Sequence, residues 1–165
     1  RIIDTYRQKY SKIKELWKDG QYCLKSMLMK KEASFGVQSS AIFLGESGFV
    51  LPNKVLLEYP NLKQERGEFT YRARRMDVRI YGGKVVENIC QAVARCIIAC
   101  QMGWISEHYK VALTVHDSLV CVVKDEEVEE ARQFIEECMR KAPDWAEGLP
   151  LDCESGIGKS YGECE

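Results

Sequence analysis

The chain has 165 residues, 45% of them apolar, and its 24 Lys and Arg against 25 Asp and Glu give a net charge of −1. This is enough for one globular domain with a hydrophobic core, and near-neutrality excludes a histone-like protein that binds nucleic acid by bulk electrostatics. The longest unbroken apolar runs are five residues, whereas a membrane span needs about 20, so we expect no membrane partner.

Residues 1–40 are predicted to form a helical lead-in. Apolar residues recur at i, i+3 and i+4 spacing from Ile2 to Trp17, as in an amphipathic helix. We expect Gly20 to interrupt this helix before a second helix or a strand over 22–31. Because the chain begins at Arg1 rather than Met, we also expect it to be a piece of a longer polypeptide.

Residues 41–80 are predicted to form a small β-meander. Short apolar runs alternate there with Gly and Pro-Asn turns, a pattern typical of consecutive antiparallel strands. Residues 61–67 are polar and are predicted to be a loop. The predicted strands cover 41–44, 49–51, 54–59, 68–72 and 76–80.

Residues 81–165 are predicted to contain two helices around a hairpin, followed by a closing strand. The helices are expected over 84–107 and 125–141, and the closing strand over 149–156. Two β-rich runs, 109–115 and 118–123, are separated by only two residues, which predicts a tight hairpin. The predicted fold class is therefore α+β: an antiparallel hairpin sheet packed against long helices, with the small meander.

The eight cysteines are interpreted as reduced, buried thiols. None forms a C-x-x-C pair, and several lie inside apolar runs, which favours packing over a metal or disulfide role. Free thiols are typical of an intracellular protein.

His116 and Asp117 form the predicted hairpin turn. A two-residue turn needs positive φ, which His and Asp adopt less readily than Gly. A carboxylate and an imidazole at the tip of a stiff hairpin could aim a metal ligand. The alternative is an ordinary surface turn that uses Asp for its hydrogen bonds to the backbone.

Two further patterns could bind nucleic acid. A polar stripe is formed on an otherwise apolar helix by Glu87, Gln91 and Arg95, at positions i, i+4 and i+8. Such a stripe could hydrogen-bond to base edges or sugar oxygens. The alternative is that it is the solvent-facing side of a buried helix. Five basic residues meet one acidic residue in the stretch 71–84, which could hold phosphates or be a solvated charged strand. These basic residues are Arg72, Arg74, Arg75, Arg79 and Lys84.

Together these stretches resemble the C-terminal palm region of family A DNA polymerases, the group of bacterial polymerase I and many phage replicative enzymes. The resemblance lies in Tyr-Gly-Gly-Lys-Val-Val-Glu-Asn-Ile-Cys-Gln-Ala-Val-Ala-Arg at 81–95 and Thr-Val-His-Asp-Ser-Leu-Val at 114–120. Leu-Pro-Leu-Asp at 149–152 and Gly-Ile-Gly-Lys-Ser-Tyr-Gly at 156–162 complete it. Residues 51–165 match well, and residues 1–50 match loosely, as the palm-proximal helix that follows the fingers.

The resemblance implies a role for each matching residue. Asp117 would be one of two carboxylates that hold a pair of catalytic Mg²⁺ ions, and His116 would lie near the primer terminus. Gln91 would touch the minor groove at the primer end, with Arg95 one turn further on. Ser118 departs from the pattern, because Glu is usual at that position.

The resemblance also implies partners and a location. These are primer–template DNA, a deoxynucleoside triphosphate bound by a fingers region outside this chain, and the cytoplasm of a bacterial or phage-infected cell. The family's other catalytic carboxylate lies in an Asp-Tyr-Ser-type motif, which does not occur among the seven Asp residues here.

Two-metal phosphoryl transfer needs carboxylates on both sides of the ion pair. We therefore expect half of an active site, inactive on its own. The alternative is a non-catalytic module that keeps the palm fold and binds duplex DNA or a partner protein. An upstream reading frame with an Asp-Tyr-Ser motif would favour the enzyme.

Overall fold

A computed structural model describes residues 2–33, 35 and 42–164. This part of the chain is α+β, as predicted, with four α-helices and three antiparallel sheets. Residue contacts divide the chain into two compact units, one ending at Val93 and the other starting at Ala94. The helices are α1 (Ile2–Lys9), α2 (Ser11–Met29), α3 (Gly82–Ser106) and α4 (Val128–Arg140).

Eight short strands pair in chain order. The first sheet contains β1 (Phe43–Leu44), β2 (Gly48–Val50) and β3 (Leu56–Glu58). The second contains β4 (Lys63–Glu65), β5 (Glu68–Ala73) and β6 (Met76–Ile80), and the third contains β7 (Lys110–Val115) and β8 (Ser118–Val122). The predicted strands are confirmed in outline, although Ala41 lies outside the described residues.

The predicted loop over 61–67 is wrong, because it contains β4. This strand pairs with β5 in the register Lys63↔Thr70. All three of its residues are exposed and polar, so the alternation of apolar and polar residues that identifies a strand is missing. Backbone pairing to β5 makes it a strand all the same.

The hydrophobic core of the first unit lies between α2, the start of α3 and the first two sheets. Tyr59 is 2% exposed and contacts the rings of Phe49 and Tyr71 edge-on, at centroid distances of 6.2 and 5.1 Å. Asn88 Nδ2 on α3 donates to the Tyr59 hydroxyl at 3.4 Å. Ile89 of α3 is buried in this cluster. The helix face that carries Glu87, Gln91 and Arg95 therefore lies on the side away from the core.

The prediction that Gly20 interrupts the first helix is wrong, because α2 continues through it and the break falls at Tyr10. A Cβ at Gly20 would lie 2.8 Å from the carbonyl oxygen of Gly82, and a Cβ at Gly82 would collide with the carbonyl oxygen of Trp17. The two glycines thus allow backbone-to-backbone contact between α2 and the start of α3. Gln21 Oε1 accepts a hydrogen bond from the Gly82 amide at 2.7 Å and caps α3.

The core of the second unit is formed by the end of α3 and the inner face of α4. Ile105 and Ala131 are almost fully buried. Gln101, 2% exposed, donates from Nε2 to the carbonyl of Met139 at 2.6 Å and so satisfies one of the last carbonyls of α4. Within the described residues, Gln101 Oε1 has no hydrogen-bond partner.

The predicted closing strand over 149–156 is wrong: these residues belong to no strand, and side chains of α4 hold the segment instead. Arg140 Nε donates to Asp152 Oδ1 at 2.9 Å, and Arg140 Nη2 donates to the carbonyl of Cys153 at 3.2 Å. Alternating apolar residues in this segment resembled a strand, yet no partner strand lies beside it in the described chain.

Glu136 on α4 is the centre of this polar contact. Its carboxylate accepts from Ser155 Oγ at 2.5 Å, Arg140 Nη1 at 2.8 Å and Arg132 Nε at 3.1 Å. The Ser155 hydrogen bond, followed by those of the two arginines, lowers the pKa of Glu136 from 4.5 to about 2. The carboxylate therefore stays ionised far into the acid range.

Helix α3 is long and apolar enough, by length and composition alone, to cross a membrane, and 28% of its most apolar 18-residue window is buried. The expectation of no such segment rested on unbroken apolar runs, and it is corrected here. Core helices of soluble proteins meet the same criterion, and Val85, Ile89 and Ile105 are buried. The helix also carries the exposed charged residues Glu87 and Arg95. Its length and composition are therefore only a weak indication of a membrane span.

All eight cysteines are reduced thiols, as predicted. Burial is confirmed only for three of them, Cys23, Cys96 and Cys138, whereas Cys90 is exposed on α3. Burial, and next the charge of Asp19, raises the pKa of the Cys23 thiol to about 11. That thiol is therefore protonated at neutral pH.

Candidate functional site

His116 and Asp117 form the two-residue turn between β7 and β8, as predicted, with Val115 paired to Ser118 across it. His116 has a φ of 54°, and Asp117 does not share the positive φ. Glycine is usual at positions of positive φ in two-residue hairpin turns. The left-handed conformation costs an L-residue roughly 1–2 kcal/mol, and such strained residues cluster at functional sites. This favours a functional reason for the histidine.

The Asp117 carboxylate is exposed and available to a ligand. Within the described residues it has no hydrogen-bond or ion-pair partner, and no group of three or more His, Cys, Asp and Glu could hold a metal ion. Mg²⁺ is usually bound by one or two carboxylates together with water and substrate phosphates. Asp117 therefore fits one position of a shared Mg²⁺ site, and the other protein ligand would have to come from elsewhere.

The hairpin that carries the turn is short and locally irregular. Its register shifts between Val111 and Leu113, as at a β-bulge, which increases the local twist of the strands. Leu113 is 47% exposed and Val122 is 67% exposed. The turn thus lies at the tip of a two-stranded ribbon with apolar side chains open to solvent.

The polar stripe of α3 lies on the exposed side of the helix. Glu87, Gln91 and Arg95 are all exposed. Lys84 Nζ lies 2.5 Å from Glu87 Oε1, an ion pair that raises the pKa of the lysine. Gln91 and Arg95 contact no other side chain through a hydrogen bond or ion pair in the described chain. Their side chains are available to DNA or to water, so the DNA-reading role stays a prediction.

The basic stretch is divided by its ion pairs. Arg72 Nη1 lies 3.1 Å from Asp77 Oδ1, and Arg79 Nη2 lies 2.7 Å from Glu68 Oε1. Arg74 and Arg75, exposed in the turn between β5 and β6, have no such partner among the described residues. The five basic residues are therefore not equivalent as candidates for phosphate binding.

Sequence reasoning missed the hydrogen bonds that three amide side chains make at α3. Gln21 caps α3, Asn88 joins α3 to Tyr59, and Gln101 joins α3 to the end of α4. Each is an amide side chain in a mainly apolar helical surrounding, a signal that could have identified it as a buried hydrogen-bonding residue.

One further concavity, of about 310 Å³, lies at the end of β7 opposite the turn. Phe134 is central to it and contacts the rings of His108 and Tyr109 edge-on, at 4.7 and 5.7 Å. No residue of the predicted site lines it.

Comparison with known proteins gives a match over nearly the whole sequence. The chain is 30% identical over 176 aligned positions to a DNA polymerase of Bacillus phage SP02. It is similar to part of a phage DNA polymerase. The match covers 97% of this chain but only 26% of that polymerase. No family model matches the chain, and no solved structure matches it.

The resemblance to phage polymerases, predicted from motifs, is thus confirmed at the level of a phage DNA polymerase. Membership of family A, the assignment to the palm and the individual residue roles stay predictions.

Proposed function

We propose that the chain is the C-terminal palm part of a family A DNA polymerase and contributes to DNA-templated nucleotidyl transfer during replication in the cytoplasm of a bacterial or phage-infected cell. One observation carries this proposal. The His116–Asp117 turn presents an unpaired carboxylate beside a strained histidine, in a chain similar over 97% of its length to a phage DNA polymerase.

In the proposed reaction, the primer 3′-hydroxyl attacks the α-phosphate of a deoxynucleoside triphosphate. The hydroxyl gives up its proton to solvent as a P–O bond forms to the primer, the bond to the β-phosphate oxygen breaks, and pyrophosphate leaves. When bound, Mg²⁺ would lower the pKa of the attacking hydroxyl and neutralise charge on the phosphates. Asp117 would supply one oxygen ligand, and a carboxylate outside this chain would supply the other.

The remaining candidate residues would bind and orient DNA. His116 would lie against the primer terminus, and Gln91 and Arg95 would hydrogen-bond to the minor groove at the last base pairs. Within the cationic stretch 72–84, the basic residues without a carboxylate partner would contact the phosphodiester backbone, since backbone contacts position a duplex without reading its sequence. Glu87, which pairs with Lys84, would orient that lysine.

The decisive experiment removes the Asp117 carboxylate in the complete polymerase that contains this chain. Asp117→Asn should lower the single-turnover rate of primer extension by roughly 10³-fold or more, because a ligand of the charge-stabilising ions is lost. Primer–template affinity should change little. The matched control is Glu126→Gln, which also removes one exposed carboxylate without an ion-pair partner in the described chain.

Two results would contradict the proposal. One is a loss of less than tenfold for Asp117→Asn, and the other is an equal loss for Glu126→Gln. The isolated 165-residue chain, assayed alongside, should extend no primer because it lacks the second carboxylate and the nucleotide-binding residues.

A second candidate function is a non-catalytic module that binds duplex DNA or a partner protein. It is favoured by the absence of any multi-residue metal group among the described residues. The two candidates differ in primer extension by the complete protein: the polymerase extends a primer with Mg²⁺ and loses this activity in EDTA and in Asp117→Asn, whereas a binding module extends no primer under any of these conditions.

A further inference from the structure

The outer face of the second sheet carries as many carboxylates as cations. Lys63 Nζ lies 3.0 Å from Asp77 Oδ2 and 3.4 Å from Glu65 Oε1. With the pairs Arg72–Asp77 and Arg79–Glu68, three cations meet three carboxylates. The hydrogen bond from Lys63, then that from Arg72, lowers the pKa of Asp77, so these charges persist at neutral pH.

This pairing changes the charge count of the basic stretch. Between 71 and 84 the sequence shows five cations and one acid, Asp77. The structure adds Glu68 from β5 and Glu87 from α3, so Arg72, Arg79 and Lys84 all have a carboxylate within 3.1 Å. The uncompensated positive charge is confined to two residues.

These two residues, Arg74 and Arg75, form the turn between β5 and β6, called the arginine tip below. Both are exposed, and Arg74 has a φ of 54°. Ala73 and Met76 pair across the base of the turn, and Met76 is 66% exposed. In the described chain neither guanidinium has an ion pair or hydrogen bond, so two like charges lie side by side with no anion between them.

We propose that the arginine tip is a binding point for the phosphodiester backbone of duplex DNA, while Arg72, Arg79 and Lys84 stabilise the surrounding structure. Guanidinium groups bind phosphate oxygens in a bidentate manner, which suits arginine better than lysine at such a contact. A duplex carries about one negative charge per 1.7 Å of its axis, and both side chains can be neutralised by it at once. The choice of DNA as the ligand rests on the proposed function.

The chain contains a matched control for this tip. Arg66 lies in the turn between β4 and β5, has a φ of 51°, and is exposed. Like Arg74, it has no ion-pair partner among the described residues. It lies at the other end of β5 from the tip, so its substitution removes one positive charge from a turn residue of similar φ at a different place.

The test measures how the affinity of the 165-residue chain for a short fluorescein-labelled duplex depends on salt, without Mg²⁺ or nucleotide. The double variant Arg74→Gln/Arg75→Gln should lower the slope of log affinity against log salt by about 1.8, since each phosphate contact contributes about 0.9. Between 50 and 200 mM salt, the factor by which Kd rises should therefore be about 12 times smaller for the double variant than for the wild type.

Arg66→Gln should leave the slope within error of wild type. Circular dichroism and thermal unfolding of all variants check that the fold is retained, which is expected because these side chains hold no other residue. An unchanged slope for the double variant overturns the proposal, as does no measurable duplex binding by the wild type. A slope change for Arg66→Gln as large as half that of the double variant would also overturn it, since only bulk charge would then matter.

The result is independent of the catalytic proposal. Asp117→Asn should bind the duplex with an unchanged slope. A tip that binds DNA in a protein whose Asp117 proves dispensable would leave the arginine tip standing and refute the polymerase assignment.

Discussion

At the scale of single residues, non-glycine residues with positive φ in hairpin turns indicate where the backbone is strained. His116 and Arg74 each occupy the first position of a two-residue hairpin turn, with φ near 54°. Glycine would fit both turns without strain. At His116 this strain favours a role for the imidazole. At Arg74 φ alone carries no such argument, because Arg66 has a φ of 51° in the preceding hairpin turn and no proposed role.

The backbone cost at His116 is testable by comparing two small residues. His116→Gly should be more stable than His116→Ala by about 1 kcal/mol, because a Cβ is unfavourable in the left-handed region and glycine is not. At Asp117, where φ is negative, the order should reverse and Ala should be the more stable by roughly 0.5–1 kcal/mol. Urea unfolding of the four variants measures both differences.

The same preference for glycine at both positions would show that the turn does not have the described conformation. The same preference for alanine at both would show that His116 is not strained, and the functional reading of its φ would lose its support.

At the scale of elements, the polar stripe of α3 is the feature with the clearest functional test. A glutamine amide can donate to the purine N3 or pyrimidine O2 of any correctly paired primer end, and a mispair displaces that acceptor. Gln91→Ala in the complete polymerase should therefore slow extension of matched ends by about 1–2 kcal/mol in activation free energy. Extension of mismatched ends should slow much less.

Single-turnover rates on matched and mismatched primers give this difference directly. Cys90→Ser, at the neighbouring exposed position, is the control, because it changes the same surface without removing an amide. Equal rates for the wild type and Gln91→Ala on matched ends would leave the stripe as a solvated helix face.

The contact between α4 and the segment 152–155 predicts a pH dependence of stability. Because the folded pKa of Glu136 is about 2 and its ordinary pKa is 4.5, the stabilisation is fully present above pH 4.5 and is lost as the pH falls through 2. Glu136→Gln should therefore lower the thermal midpoint at neutral pH and flatten its decline between pH 4.5 and 2.

Glu137→Gln is the matched control for this prediction, since Glu137 is the next residue on α4 and is exposed. It should unfold with the same acid dependence as the wild type. Parallel curves for wild type and Glu136→Gln would mean that the Ser155 and arginine contacts do not persist in solution.

The elements also show what local sequence can and cannot predict. Helix α3 and the β7–β8 hairpin were predicted within two residues of their ends, because periodicity and turn residues act locally. The role of Gly20 was mispredicted because its backbone contact is with Gly82, which is distant in sequence. The adjacent hydrogen bond from the Gly82 amide to Gln21 spans 61 positions, and no local pattern indicates such a contact. The segment 149–156 was misread because an alternating pattern does not reveal whether a partner strand exists.

At the scale of the whole molecule, the chain is nearly neutral and spans 26% of the length of the phage polymerase that it resembles. The proposed activity is therefore a property of a larger protein to which this chain would contribute one carboxylate and several DNA contacts. Motifs predicted the relationship, because residue order along the chain is enough for that. They could not predict that Glu68 neutralises Arg79, since that pair depends on strand register. The Lys84–Glu87 pair, by contrast, has the i, i+3 spacing of neighbours on one helix face and could have been read from the predicted helix.

The contact between Gly20 and Gly82 also limits how the gene can change. Every amino-acid substitution of Gly82 adds a Cβ atom at a position that the backbone of Trp17 already occupies. A Cβ on Gly83, directly beside it, would meet side chains rather than backbone: the ring of Tyr81 at 3.2 Å and the ring of Trp17 at 3.8 Å. The two glycines of the Tyr-Gly-Gly-Lys motif thus differ in mutational tolerance. Gly82 cannot be replaced because the backbone of α2 packs against it, whereas Gly83 can be replaced by alanine if the Tyr81 ring moves slightly.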